Sequence, residues 1–200
     1  MKITLLLPDM SDDTYNRTKV IYDLLINNYQ VEVVSVNQKK NSSKLFKSSF
    51  AEYKKIDFDL GKIVNDLKKN ITGDIIYAIR AKPTSFGFAM SLKSSKKIPV
   101  IVDISAKEIY NTFPYSNNTL KSMFLSLPFF NNTNSFIYTW ILEKRIKMAD
   151  EITVSSNTLQ RSYGGTFISS SSNEDLFDSD LYKRDEIRET MGWEDYIVIL

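Results

Sequence analysis

The feature that most limits how this chain can fold is an alternation between two hydrophobic periods. Short apolar runs, Ile3–Leu7, Val31–Val36, Ile75–Ile79, Val100–Ile104 and Glu151–Val154, are separated by segments with helical spacing. Each run is too short for a core helix and is rich in Val, Ile and Leu, which predicts buried strands. Between the first two, Thr14–Asn27 places Val20, Ile21, Leu24 and Leu25 on one helical stripe. Around Asp59–Asn70, Leu60, Ile63, Val64, Leu67 and Ile71 follow the spacing of a buried helix face. Helices are also predicted over about Thr84–Ser95, Ser135–Ala149 and Arg184–Met191. Strand and helix in strict turn imply βαβ crossovers, hence a parallel sheet covered on both faces. The expected class is α/β, a doubly wound, Rossmann-like parallel sheet.

Local chemistry sharpens the boundaries. Gly73-Asp74 turns the chain into the third strand, and Ser155-Ser156 can cap a helix that Gly164-Gly165 stops. A short strand is expected at Thr166–Ile168, and a basic, Ser-rich loop or irregular crossover at Asn37–Ser49. Gly192 closes the last helix, with Ile187 and Met191 expected on its inner face. Tyr196–Leu200 reads as the first strand of a further domain. The expected organisation is therefore a Rossmann-like domain over residues 1–178, followed over 179–200 by a linker helix and the opening strand of a second domain.

The chain of 200 residues contains no Cys and no His. That excludes disulfides, thiolate zinc sites, cysteine nucleophiles and histidine bases. No metal and no cofactor are expected. Twenty-six basic residues against 24 acidic ones give a net charge of +2, too balanced to argue for nucleic acid. The apolar run before Pro8 is a strand rather than a secretory signal, and no stretch approaches the ~18 apolar residues of a membrane span. A cytoplasmic location is expected.

In open α/β sheets ligands bind beyond the carboxyl ends of the strands, which selects three loops. The first, Asp9-Met10-Ser11-Asp12-Asp13, leads into a helix N-terminus, where Asp9, Ser11 and Asp12 are candidate binding groups and where Ser11, Asp12 or Asp13 can equally cap the helix. It lacks the glycines of a dinucleotide fingerprint. Arg80, at the end of the third apolar run and followed by Lys82, can take a phosphate or carboxylate bidentately. Asp103 and Glu108 flank the next mouth, with Ser105 between them. Two carboxylates there can serve as a base and a sugar-hydroxyl acceptor, and Asp103 can also serve as a structural acceptor. The aromatic run from Phe113 to Trp140 reads either as core or, with Lys121, Lys144, Arg145 and Lys147, as a face against a membrane surface.

Taken in order, these pieces resemble the N-terminal domain of GT-B glycosyltransferases, specifically the large retaining family 4. The opening Met1–Pro8 followed by Asn28-Tyr29-Gln30-Val31-Glu32-Val33-Val34-Ser35 is similar to the family's first two strands. Gly73-Asp74-Ile75-Ile76-Tyr77-Ala78 and Ile98-Pro99-Val100-Ile101-Val102-Asp103-Ile104 resemble its next two. Glu143, then Met148-Ala149-Asp150-Glu151-Ile152-Thr153-Val154-Ser155-Ser156, resembles its "Glu … Ala-Asp … hydrophobic-Ser" block, and Asn173-Glu174-Asp175-Leu176-Phe177 its Asn-Gly-Val-Asp … Phe turn. The chain departs from that pattern at Met10-Ser11-Asp12-Asp13, where the family usually carries a Gly-rich loop. It departs again at Tyr29, in place of Gly, and at Ser105-Ala106, in place of His or Arg-Asp.

The resemblance implies the N-terminal, acceptor-side half of a GT-B enzyme that moves a sugar from a nucleotide-sugar to a glycan, lipid-linked or protein acceptor. Asp103 and Glu108 are the expected catalytic residues, and Asp9, Ser11, Asp12, Arg80 and Ser105 the expected acceptor-binding residues. The nucleotide-sugar is bound as substrate, mainly by a C-terminal domain. This chain alone is expected to be inactive. A membrane surface or a partner transferase is a further expected partner, which would place the protein peripherally on the inner face of the cell membrane. The competing expectation is a non-catalytic, glycosyltransferase-like accessory subunit that binds a partner transferase or glycan.

Overall fold

The computed structural model describes residues 1–9, 11–37, 49–59, 61–112, 136–169 and 183–193. The chain divides into two compact units, Met1–Ser169 and Ser170–Leu200. In the first, strands β1 (Lys2–Leu7), β2 (Gln30–Asn37), β3 (Tyr53–Asp57), β4 (Ile75–Ile79), β5 (Val100–Ile104), β6 (Glu151–Val154) and β7 (Thr166–Phe167) form one seven-stranded sheet. The order is β3-β2-β1-β4-β5-β6-β7 and every pairing is parallel.

Among the described residues the helices of this unit are α1 (Asp12–Ile26), α2 (Ile63–Asn70), α3 (Phe88–Lys96), α4 (Glu108–Thr112), α5 (Phe136–Lys144) and α6 (Asn157–Tyr163). A π-helical turn, Pro83–Gly87, precedes α3, and a 3-10 turn, Ile146–Met148, follows α5. Alternate residues of each strand face opposite sides of a sheet. On one side Ile3, Leu5, Leu7, Val31, Val33, Tyr77 and Ile79 pack with Ile21 and Tyr22 of α1. On the other, Leu6, Val34, Ile76, Ala78, Val102 and Val154 pack with Leu67, Phe86, Leu92 and Leu159. The sheet is doubly wound, as the alternating periods require.

Several expectations shift in detail. β3 is an extra strand, rich in lysine, at the sheet edge. On α1 the buried stripe is Thr14, Arg17, Thr18, Ile21 and Tyr22, whereas Leu24 is exposed. Ser156 caps α6 through its hydroxyl, which accepts from the Leu159 amide at 3.2 Å. Gly165 has a φ of +87°, and a Cβ there would lie 2.3 Å from the Ile152 carbonyl oxygen, so only glycine lets the chain enter β7. In the second unit, α7 (Arg184–Met191) ends at Gly192 in the left-handed conformation. Ile187 and Met191 are exposed on α7 rather than covered. Tyr196–Leu200, Met123–Phe130 and most of Asn37–Ser49 lie outside the described residues.

Candidate functional site

β1 and β4 are sheet neighbours, yet the chain leaving β1 enters α1 on one face and the chain leaving β4 enters α3 on the other. Their carboxyl-end loops therefore part, which is where doubly wound proteins hold ligands. Two contacts span the parting. Lys82 Nζ donates to Asp9 Oδ2 at 2.9 Å, and Thr84 Oγ1 donates to the Pro8 carbonyl at 2.9 Å. The other oxygen of Asp9 accepts from the Ser11 amide at 3.1 Å, the Ser11 hydroxyl at 2.6 Å and the Thr14 hydroxyl at 2.8 Å. Burial pushes the Asp9 pKa up, but the Lys82 ammonium and the Ser11 donors outweigh it and hold the carboxyl well below its usual range. Ser11 is the N-cap residue of α1, but its hydroxyl serves Asp9 and makes no cap bond to the helix. Asp12 opens α1; its side chain lies outside the described residues.

Arg80 follows β4 with a φ of +67°, an uncommon conformation for a side-chain-bearing residue. Its backbone is held from both directions: the amide donates to the Asp103 carbonyl at 2.9 Å, and the carbonyl accepts from Ser85 Oγ at 2.7 Å. The guanidinium grips Glu108 bidentately, Nε to Oε1 at 2.5 Å and Nη2 to Oε2 at 2.9 Å, both side chains being buried. Burial alone would lower the Arg80 pKa; the Glu108 carboxylate raises it instead. The strained φ and the π turn that begins at Pro83 adjoin each other at the end of a central strand, and both features concentrate at functional positions.

A second guanidinium pair lies one strand over. Asp103, fully buried, accepts from Arg17 Nε at 2.9 Å and Nη2 at 2.7 Å, and from Thr153 Oγ1 at 2.8 Å. Tyr77 Oη shares a hydrogen bond of 2.8 Å with Thr153 Oγ1. Burial and the Asp103 charge together raise the Tyr77 pKa, so the phenol stays protonated. Arg17 Nη1 also donates to the Ile168 carbonyl at 2.9 Å, which ties α1 to the residue after β7. Ser105 is half-buried, and its carbonyl accepts from Ser155 Oγ at 3.1 Å.

The structure thus joins Asp9, Ser11 and Lys82 in one network and Arg80 with Glu108 in another, and engages both oxygens of Asp103 and of Glu108 by guanidinium groups. Sequence reasoning missed Arg17, Thr14 and Thr153. The signal for Arg17 was its position four residues before Ile21, a charged side chain on the buried stripe of a helix. Among the described residues no cluster of acidic side chains could hold a metal ion.

The geometry defines an α/β domain of the Rossmann-like kind found in GT-B proteins. No family model matches the sequence, and no curated protein matches it. Solved structures do share the fold. A UDP-N-acetylglucosamine 2-epimerase from Rickettsia bellii aligns with a TM-score of 0.54 at 12% identity, over 96% of this chain and 51% of that one. An alpha-glucosyltransferase in complex with UDP and a 13-mer DNA aligns at 0.52 and 15% identity, over 93% and 45%. Phytolacca americana UGT2, complexed with UDP-2fluoro-glucose and pterostilbene, aligns at 0.50 and 10% identity, over 92% and 58%. The chain therefore spans about half the length of the structures it matches.

Proposed function

We propose that this chain is the acceptor-side half of a glycosyltransferase that uses a nucleotide-sugar donor, and that the acceptor enters at the parting between β1 and β4. The observation that carries this reading is the switch-point network itself. Asp9, Ser11 and Lys82 bridge two diverging loops with hydroxyl, carboxylate and ammonium groups, the donors and acceptors a sugar offers in return. The fold shared with proteins solved with UDP or a UDP-sugar supports the same assignment.

In this reading Asp9, Ser11 and Asp12 take acceptor hydroxyls, and Ser105 borders the next mouth. Glu108 fixes the Arg80 guanidinium beside the entrance, and Asp103 fixes that of Arg17. Asp103 and Glu108 then act as positioning residues; a base role would require one of them to leave its arginine. The family 4 assignment, retention of configuration and domain limits at 178 and 179 belong to the same proposal. So does a donor site outside this chain.

The accessory-subunit reading is favoured by one observation: both carboxylates sought as catalysts are already neutralised by arginines in a chain without histidine. Calorimetry against nucleotide-sugars and against simple glycosides separates the readings. Glycoside binding that weakens in Asp9→Ala, with no binding of UDP-glucose, supports the acceptor half. Tight UDP-glucose binding by this chain overturns the division of labour, and binding of neither class favours the accessory subunit.

A further inference from the structure

Which acceptors the entrance between β1 and β4 admits follows from its charges, given the acceptor reading above. The expectation that Arg80 takes a phosphate or carboxylate bidentately is met within the protein. Nε and Nη2 of Arg80 both donate to Glu108, and the same two nitrogens of Arg17 donate to Asp103. Lys82 Nζ donates to Asp9 Oδ2 at 2.9 Å. Each of these cations thus has a carboxylate of the protein where an anionic ligand would stand.

The local balance is on the acidic side. Burial lowers the Arg80 pKa, and the Glu108 carboxylate, followed by the charges of Asp9 and Asp13, raises it. Asp13 therefore belongs to the same electrostatic neighbourhood as Asp9 and Glu108. Three carboxylates, Asp9, Asp13 and Glu108, stand there against two cations, Arg80 and Lys82. The amino end of α1, which would otherwise attract an anion, begins with Asp12 and Asp13 in its first turn. Lys107 follows β5 and belongs to the next mouth.

The Asp9–Lys82 pair selects by functional group. Asp9 Oδ1 already accepts from the Ser11 amide, the Ser11 hydroxyl and the Thr14 hydroxyl, so Oδ2, shared with Lys82, is the oxygen a ligand meets. The pair is partly exposed and can be reached. A hydroxyl is donor and acceptor at once. Set between the partners, its O–H donates to Asp9 Oδ2 and its oxygen accepts from Lys82 Nζ, and both charges stay satisfied. A phosphate or carboxylate only accepts. It gains Lys82 but displaces Asp9, whose charge it then faces together with that of Asp13. Opposing like charges are a common means of rejecting a wrong ligand. We propose that this entrance admits an uncharged sugar residue, held by one hydroxyl bridging Asp9 and Lys82, and rejects the same residue when it carries a phosphate or a carboxylate.

The test measures binding to the whole chain by ligand-observed NMR. The probes are the methyl glycosides of glucose, galactose and mannose, their 6-phosphates and the corresponding methyl uronides. At least one neutral glycoside should bind at least about tenfold more tightly than its phosphate and its uronide at low ionic strength, and salt should narrow the gap. In Asp13→Lys, at an exposed position, the ratio of neutral to anionic affinity should fall at least about threefold. Lys82→Met should weaken the neutral glycoside severalfold, because its hydroxyl loses one of two partners. Both variants should keep the circular dichroism spectrum of the parent. Anionic probes that bind as tightly as the neutral ones, or alone, overturn this inference and leave the acceptor reading standing. A ratio unmoved by Asp13→Lys, or neutral binding unmoved by Lys82→Met, overturns it as well. Binding of none of the probes is a failure of the acceptor reading itself, and the inference falls with it.

Discussion

The two ends of the sheet bury carboxylates in opposite ways. At the amino end Glu32 is fully buried and collects five donors. Thr4 Oγ1 lies at 2.5 Å, the Thr72 amide at 2.7 Å, the Thr72 hydroxyl at 2.8 Å, Lys54 Nζ at 2.9 Å and the Gly73 amide at 3.1 Å; Lys2 Nζ stands at 3.1 Å. One side chain thus joins β1, β2, β3 and the turn into β4, on unstrained backbone. At the carboxyl end the charges are divided among guanidinium pairs, one on a residue with positive φ, and the loops there are held by the partly exposed Asp9–Lys82 pair. The difference separates tasks. The amino end spends its polar groups on joining strands, and the carboxyl end holds charged groups in fixed places beside an opening.

The largest test of that contrast is Arg17→Ala. It leaves the Asp103 carboxylate buried without its bidentate partner, a change that typically costs ~3–5 kcal/mol. Urea unfolding should show the unfolding free energy falling by that amount, with a lower midpoint at unchanged slope. Replacing both members with apolar residues, Arg17→Met with Asp103→Leu, should recover most of it. A loss under ~1 kcal/mol for the single variant would mean water reaches Asp103, and the carboxyl end would then be less dry than its burial indicates.

Glu32→Gln comes next. The amide keeps an acceptor but turns its NH2 toward donors already present, and it loses the charge facing Lys2 and Lys54; hydrogen bonds to charged groups contribute ~1.5–3 kcal/mol, which sets the expected loss. The pH dependence has a fixed sign. Burial raises the Glu32 pKa, but the Thr4, Lys54 and Thr72 donors outweigh it and leave it lowered. A lowered folded-state pKa means stability that is present above the ordinary carboxylate range and lost as pH falls below about 4. In Glu32→Gln that acid slope should shrink, and an unchanged slope would move its origin to Asp9 or Asp150, whose pKa values are also lowered.

Legibility in the sequence follows the same division. The strands β1, β2, β4, β5 and β6 were readable because buried parallel strands are near-continuous apolar runs. β3 was not, because Tyr53–Asp57 is a lysine-rich edge strand, and charge on an edge hides the strand pattern while protecting it from mispairing. The α1 stripe was misphased toward Leu24 because its buried face carries Thr14, Arg17 and Thr18, which no apolar count registers. The positions of Asp9, Arg80, Asp103 and Glu108 at strand ends came from the rhythm of the elements. Which cation meets which carboxylate did not, since Arg17 and Asp103 lie far apart in sequence and only the order β1-β4-β5 brings α1 over the end of β5.

Lys82→Ala should have the smallest effect on stability, and for that reason it tests the site most directly. The pair it removes is partly open to water, Asp9 being 36% exposed at its side chain. Such pairs contribute under ~1 kcal/mol, because water solvates the ions nearly as well when they are apart. Asp9 also keeps its Ser11 and Thr14 donors. Urea unfolding should therefore shift only slightly, far less than for Arg17→Ala. A contact that is cheap to break is one that a ligand can replace: an acceptor hydroxyl entering between Asp9 and Lys82 would exchange one hydrogen bond for another at little cost. If Lys82→Ala destabilises the fold as much as Arg17→Ala, the β1–β4 parting is a structural seam like the amino end, and the proposed acceptor entrance moves to Ser105 and the mouth of β5.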